Sequence, residues 1–343
     1  MTLGAAEPLP AHGADEAGGP QAGEARRLGP VPADQRPLTV VNAKIRLGQR
    51  LVDIWRHREL LVLLTRTELK VKYKGSVLGF VWSMLNPALV LGIYWAAFTA
   101  INRGGGIPDF AIWLFAGLLA WNLFNNASMG STTVVVGKAG IVKKVAFPRE
   151  LLALSTVGVA LFLFVIQVGV LILVLAVVNL TGHQMLPAWN YLPAMLLAIV
   201  ALVVFTSAMS IFLSAVNVYL RDTQHLTEVA LMAWFWGTPL VYPYELVSKA
   251  IAHRPYLTFL KYLYLSNPMT PIVMTFQRTI YGKAAYVTPK KVNPAQVATQ
   301  VLPTAGPGLY VAGMVAVIAV GVLLFFGALV VFGRLEGNFA EEL

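Results

Sequence analysis

Charged residues disappear from this chain in long blocks, and the blocks set its architecture. From Gly75 to Asn102 there is no Asp, Glu, Lys or Arg, and the same holds from Phe110 to Gly137 and from Leu151 to Leu220. About 20 apolar residues suffice to cross a bilayer. The third block therefore holds two spans, divided where Gly182 and Pro187 break the helical pattern in Asn179–Asn190. A shorter apolar stretch from about Glu228 to Tyr242 is interrupted by Gly237 and Pro239, and a final block runs from about Leu309 to Phe332. The expected fold is an all-α polytopic membrane protein with six transmembrane helices, at about 76–101, 110–135, 151–178, 191–219, 226–243 and 309–333.

Ahead of the first span the pattern changes to helical amphipathicity. Arg66, Lys70 and Lys74 fall in one stripe at about 100° per residue, and Leu60, Leu64 and Val71 in another. Residues 41–75 are expected to form an amphipathic interface helix in the headgroup layer. A turn is expected at Gly75, and Pro87 should bend the first span. Residues 1–40, rich in Ala, Gly and Pro, lack the apolar run of a secretory signal and are expected to be a disordered cytoplasmic tail. Between spans five and six, Tyr256–Leu265 is too short to cross, and Ile272, Val273, Phe276 and Ile280 recur at helical spacing. Two short helices dipping in from the outer side are expected there, as a gate or as interfacial packing. Residues 336–343 form a cytoplasmic C-terminus.

Charge orients the set. Arg56, Arg58, Arg66, Lys70, Lys72 and Lys74 precede the first span, and Lys138, Lys143, Lys144 and Arg149 follow the second. The positive-inside rule puts these, and both termini, in the cytoplasm. The long segment Pro243–Gly308 is also basic, but long loops weigh little in that rule. The net charge of +10 is thus explained by lipid headgroups rather than nucleic acid. With 12% charged residues the chain falls well below the roughly 25% of soluble domains.

Composition also removes chemistry. There is no cysteine, so disulfides, thiolate metal sites and thiol nucleophiles are excluded. Seven of the sixteen acidic residues precede residue 60, and the five histidines are scattered. No metal site is expected, and the chain is read as a non-enzyme. The spans contain no ionisable group except Glu228, which argues against a proton- or sodium-coupled carrier. No Gly-x-x-x-x-Gly-Lys-[Ser/Thr] loop is present, so an ATPase driving transport would be another chain. Its dock would be the loop after the second span. Ile141, Val142, Val145 and Phe147 are too apolar for a bare loop and need a partner or membrane to cover them, with Lys143, Lys144, Pro148, Arg149 and Glu150 around them.

Two segments together resemble a known family. Tyr73-Lys-Gly-Ser-Val-Leu-Gly-Phe-Val-Trp-Ser-Met-Leu-Asn-Pro87 is similar to the first-span signature of ABC-2 type permeases that export lipid-linked polysaccharides, such as O-antigen and teichoic acid. Gly140–Leu151 resembles their coupling helix, Ser266–Pro271 with Arg278 their outer gate region, and Leu335–Glu341 their cytoplasmic end. The likeness runs from about residue 45 to the C-terminus.

The resemblance implies a homodimeric pore in a bacterial inner membrane. Two copies of a separate subunit would bind ATP and Mg, and the cargo would be a polysaccharide on polyprenyl diphosphate. It places the diphosphate near Arg66, Lys70 and Lys72. Aromatic rings stack on sugar faces, which makes Tyr94, Trp95 and Phe98, Trp121, Asn122, Phe124 and Asn125, and Trp234, Phe235 and Trp236 candidates to line a channel. Asn267, Pro268, Phe276 and Arg278 are the candidate outer gate. The long tail and the long Gly282–Gly308 segment depart from the family pattern and point to an actinobacterial member with a cell-wall galactan as cargo. The alternatives are an ABC-2 permease for a small lipid or drug, and a membrane component of a polysaccharide synthase.

Overall fold

The computed structural model describes residues 47–76, 81–101, 107, 109–180, 187–247, 259, 264, 266–283, 285–288, 297–300 and 302–343. Two amphipathic helices come first, α1 (Leu47–Arg56) and α2 (Arg58–Tyr73). The chain breaks at Gly75, whose φ of 77° lies in the left-handed region that glycine adopts without strain. Helix α3 (Val81–Ile101) follows with Pro87 inside it. Then come α4 (Phe110–Gly137), the short α5 (Ala139–Val142) and α6 (Glu150–Leu180). After a 3-10 turn at Trp189–Tyr191 stand α7 (Leu192–Tyr219), α8 (Thr223–Trp236), α9 (Met269–Tyr281) and α10 (Pro307–Leu335).

Four of these stretches are long and apolar enough to cross a membrane by length and composition: Phe110–Gly137, Glu150–Leu180, Trp189–Tyr219 and Pro307–Asn338. The 28 residues of α4 rise about 42 Å at 1.5 Å each, beyond the roughly 30 Å of hydrocarbon. The protein is a multi-pass helical membrane protein. α4 is its most enclosed member, packed by α6, α7, α8 and α9. Helices α6 and α10 instead leave Phe162, Val165, Leu173, Leu309 and Leu323 exposed, as helices facing hydrocarbon do.

Two regions differ from expectation for local reasons. The fifth apolar stretch is helical only to Trp236. Gly237 ends the helix, and Thr238 Oγ1 folds back to donate to the Trp234 carbonyl at 2.9 Å. At 14 residues α8 spans about 21 Å, short of a bilayer. Beyond α9, where no strand is expected from the residue pattern, Ala285–Thr288 (β1) pairs antiparallel with Val297–Gln300 (β2), with Ala285 opposite Gln300. The all-helical reading holds for the membrane body and not for this hairpin. Of the two expected outer helices, α9 is formed, while most of Tyr256–Leu265 lies outside the described residues. Residues 1–46 also lie outside them.

Candidate functional site

The loop joining α4 to α6 is built to show part of itself. The Lys138 carbonyl ends α4 and accepts from Ile141 N at 2.9 Å and Val142 N at 3.1 Å, which winds α5. Val142 plugs inward, 2% exposed, into a cluster with Val134, Val135, Leu152, Phe332 and Phe339. Its neighbours turn the other way: Ile141 is 46% exposed and Val145 54%. Lys143 and Lys144 are exposed beside them. Phe147 packs partly against the inner cluster, and Pro148 opens the turn into α6, its carbonyl accepting from Leu151 N at 3.2 Å. The exposed face of the loop is therefore Ile141, Lys143, Lys144 and Val145.

Arg149 and Glu150 face the protein. Glu150, 2% exposed, pairs with Arg50 of α1. Arg50 Nη2 also donates to Glu336 Oε2 at 2.8 Å. Arg149 Nη1 donates to the Glu336 carbonyl at 2.9 Å, and its guanidinium stands 5.9 Å from the Phe339 ring centre. Burial works against the Arg50 charge, but Glu150 and Glu336 outweigh it and push its pKa above the ordinary arginine value. A side chain on Gly333 would lie 3.0 Å from the Arg50 guanidinium carbon, so glycine on α10 leaves room for the guanidinium to sit close. Four charges thus fasten the end of the loop to α1 and to the chain's last turn. Local pattern could not reveal this cluster, since Arg50 and Glu336 lie 286 residues apart.

The start of the loop has a different fastening. Lys138 pairs with Glu68 of α2. The pair borders a cleft of about 490 Å³ between α2, α4 and α6, lined among others by Thr67, Lys72, Asn126, Thr133 and Thr156. Of the three cations expected near a diphosphate, Lys72 lines this cleft, while Arg66 and Lys70 lie on exposed parts of α2. Lys72 is exposed by surface area, yet the atoms crowded around it desolvate the ammonium and lower its pKa. On its other side α2 presses on α6. A Cβ at Gly158 would meet Thr65 Oγ1 at 2.6 Å, so glycine permits the close crossing.

The aromatic candidates split. Phe124 is fully buried, stacked on Phe205 at 5.4 Å and edge-on to Trp234 at 5.2 Å. Trp121 meets Phe124 and Phe235 edge-on and is 5% exposed. Trp236 is 54% exposed. Asn122 Nδ2 donates to Gln167 Oε1 at 3.4 Å, and Asn125 is half-buried. Tyr94, Trp95 and Phe98 belong to α3, and their side chains lie outside the described residues.

At the opposite end, α9 is embedded. Eleven of its 13 residues are buried, Phe276 fully, 6.0 Å from the Phe164 ring. Gly117 of α4 allows the approach, since a Cβ there would lie 2.9 Å from Gln277 Nε2. Asn267 clasps α8 to α9. Its Oδ1 accepts from Trp234 Nε1 at 2.8 Å and Met269 N at 2.9 Å, and its Nδ2 donates to Thr238 Oγ1 at 3.0 Å and the Gly237 carbonyl at 3.3 Å. Pro268 follows at the helix start. Arg278 lies 4.6 Å over the Tyr191 ring and donates to the Tyr191 hydroxyl at 3.3 Å and the Gly282 carbonyl at 3.0 Å. Tyr191 in turn donates to the Ala305 carbonyl at 2.8 Å. Sequence reading missed Tyr191 as the partner of Arg278, because the contact joins segments 87 residues apart.

Among the described residues no group of three His, Asp or Glu could hold a metal. The sequence matches the ABC-2 type transporter family over residues 59–281. The O-antigen export system permease protein RfbA of Myxococcus xanthus is 31% identical over 295 residues, which covers 86% of this chain and 99% of that protein. A Klebsiella pneumoniae protein of the same name is 28% identical over 219 residues, 64% of this chain and 79% of its own length. With more than half of its length inside the family match, the chain belongs to the ABC-2 type transporter family and is a transporter's membrane subunit rather than an enzyme.

Proposed function

We propose that this chain is the permease of an ATP-driven exporter of a polysaccharide carried on polyprenyl diphosphate, in a bacterial inner membrane. The observation that carries the reading is the likeness to an O-antigen export permease along 99% of that protein's length. The exposed apolar and basic face of the α4–α6 loop supports an ATP-binding partner, since Ile141 and Val145 gain from a protein surface that removes them from water. In this reading two copies of the chain form the pore and two ATP-binding subunits, holding ATP and Mg, sit under the loops.

The loop, α2 and both chain ends then face the cytoplasm, in keeping with their cations. Helix α3 serves as the first of six spans. Helix α8, with the turn after it, serves as a broken fifth. Helix α9, held by Asn267 and Arg278, is the closed outer gate. The diphosphate meets Lys72 at the cleft, and exposed Arg66 and Lys70 attract it from the headgroup layer. Galactan is the first cargo to test.

The chain is purified with its ATP-binding subunit and polymer export is followed. Ile141→Asp with Val145→Asp should lose the ATPase during purification and abolish export. Full copurification and normal export would sink the docking role. Lys72→Ala should lower export about tenfold with the ATPase retained, and unchanged export would remove Lys72 from the diphosphate site.

A further inference from the structure

The docking loop is held at its two ends by unequal fastenings. At its far end Arg149 and Glu150 are locked by Arg50 and Glu336, with Glu150 2% exposed. At its near end, among the described residues, one ion pair, Lys138–Glu68, joins it to α2, and both side chains are partly open to solvent, 18% and 28% exposed. Val142 pins the middle of the loop inward, and the Lys138 carbonyl accepts from Ile141 N and Val142 N, so a shift of the exposed face reaches α2 through Lys138. Its partner Glu68 stands on the wall of the cleft that also holds Thr67 and Lys72. That wall has unfilled space beside it. Helix α2 touches α6 closely at Thr65–Gly158, and the cleft on its other side leaves about 490 Å³ unfilled. The α4 side offers no obstruction at Gly137, where a Cβ would meet nothing within 4 Å.

We propose that Glu68 and Lys138 are positioning residues that tie the width of the α2–α4–α6 cleft to the state of the docked ATPase. The inference rests on the docking reading above. When the ATP-binding subunits close, the loop shifts at Lys138, Glu68 follows, and α2 pivots on the Thr65–Gly158 contact. Neither residue touches cargo in this role. Each acts through the other.

The chain has no cysteine, so a reporter pair can be placed without background. Thr67→Cys on α2 and Thr133→Cys on α4 both line the cleft. In the assembled complex, oxidative cross-linking between them should change about threefold on adding ATP and vanadate, as a shift between two cleft widths requires. Lys138→Glu should remove that change while the ATPase still copurifies. The swap Glu68→Lys with Lys138→Glu should restore it, together with export. A merely structural pair would alter folded yield and leave the nucleotide response of the remaining complex intact.

Cross-linking that ignores nucleotide with the ATPase bound overturns the proposal. So does a Lys138→Glu complex that responds like the parent, or a swap that folds and binds the ATPase without restoring the response. Loss of the ATPase from the otherwise unaltered chain is the separate failure: it sinks the docking reading, and this inference with it.

Discussion

The two ends of this protein are closed by different physics. At the hairpin end, Asn267, Tyr191 and Gln277 make neutral hydrogen bonds around a helix that is buried nearly all round. The Nη groups of Arg278 meet a carbonyl and a hydroxyl there, and its guanidinium lies over a ring. At the basic end, charges do the fastening: Arg50, Arg149, Glu150 and Glu336 in one cluster, Lys138 and Glu68 in a second. Neutral bonds in a packed interior are insensitive to salt and hold one arrangement. The partly exposed Lys138–Glu68 pair is screened within about 10 Å at 0.1 M salt, whereas Glu150 is buried in its cluster and less open to screening. The lesson is one of location. The α9 end is held by burial and neutral bonds, and the loop end by charge.

The comparison can be broken most sharply at Arg50. Arg50→Ala leaves Glu150 buried without its main partner, which costs about 3–5 kcal/mol. Thermal unfolding of the purified chain in detergent should show a large drop, and an unchanged midpoint would mean the cluster carries no weight. Next is Asn267→Ala, which strips the partner from Trp234 Nε1 and the start of α9. It should cost about 2–3 kcal/mol, with a loss that stays the same between low and high salt. A smaller effect is expected of Gly158→Ala, about 1–2 kcal/mol. Adding Thr65→Ala should recover much of it in the same melt, because the clash is with that side chain. Salt itself gives the gentlest test. Raising sodium chloride to about 1 M, where the Debye length is about 3 Å, should speed amide exchange in 139–149 and leave 269–281 unchanged. Equal acceleration at both ends would erase the distinction.

The sequence was legible where one force dominates. The charge-free blocks at α4, α6, α7 and α10 read directly as crossing helices, because hydrocarbon admits little else. Gly75 announced its break through the left-handed backbone it adopts, and Gly237 with Pro239 marked the end of α8. The β1–β2 hairpin was not legible, since its strands are only four residues each and lack clear alternation. In the candidate site, the exposed Ile141 and Val145 stand where an over-apolar loop implied. The inward turn of Arg149 and Glu150 did not show, because their partners Arg50 and Glu336 come from segments 286 residues apart. Nor did the burial of Phe124 or the partial burial of Trp234, whose packing against Phe205 depends on how distant helices meet.

The cluster around Glu150 also bears on how the fold sets. Glu336 holds Arg50 and Arg149, and the fully buried Phe339 packs on Phe332, so the basic end is joined from stretches as much as 286 residues apart. Contacts of such wide separation form late, because a long loop must close before they contribute anything. The frame of the α4–α6 loop is therefore a late product of folding, completed only after the helices it joins have already packed.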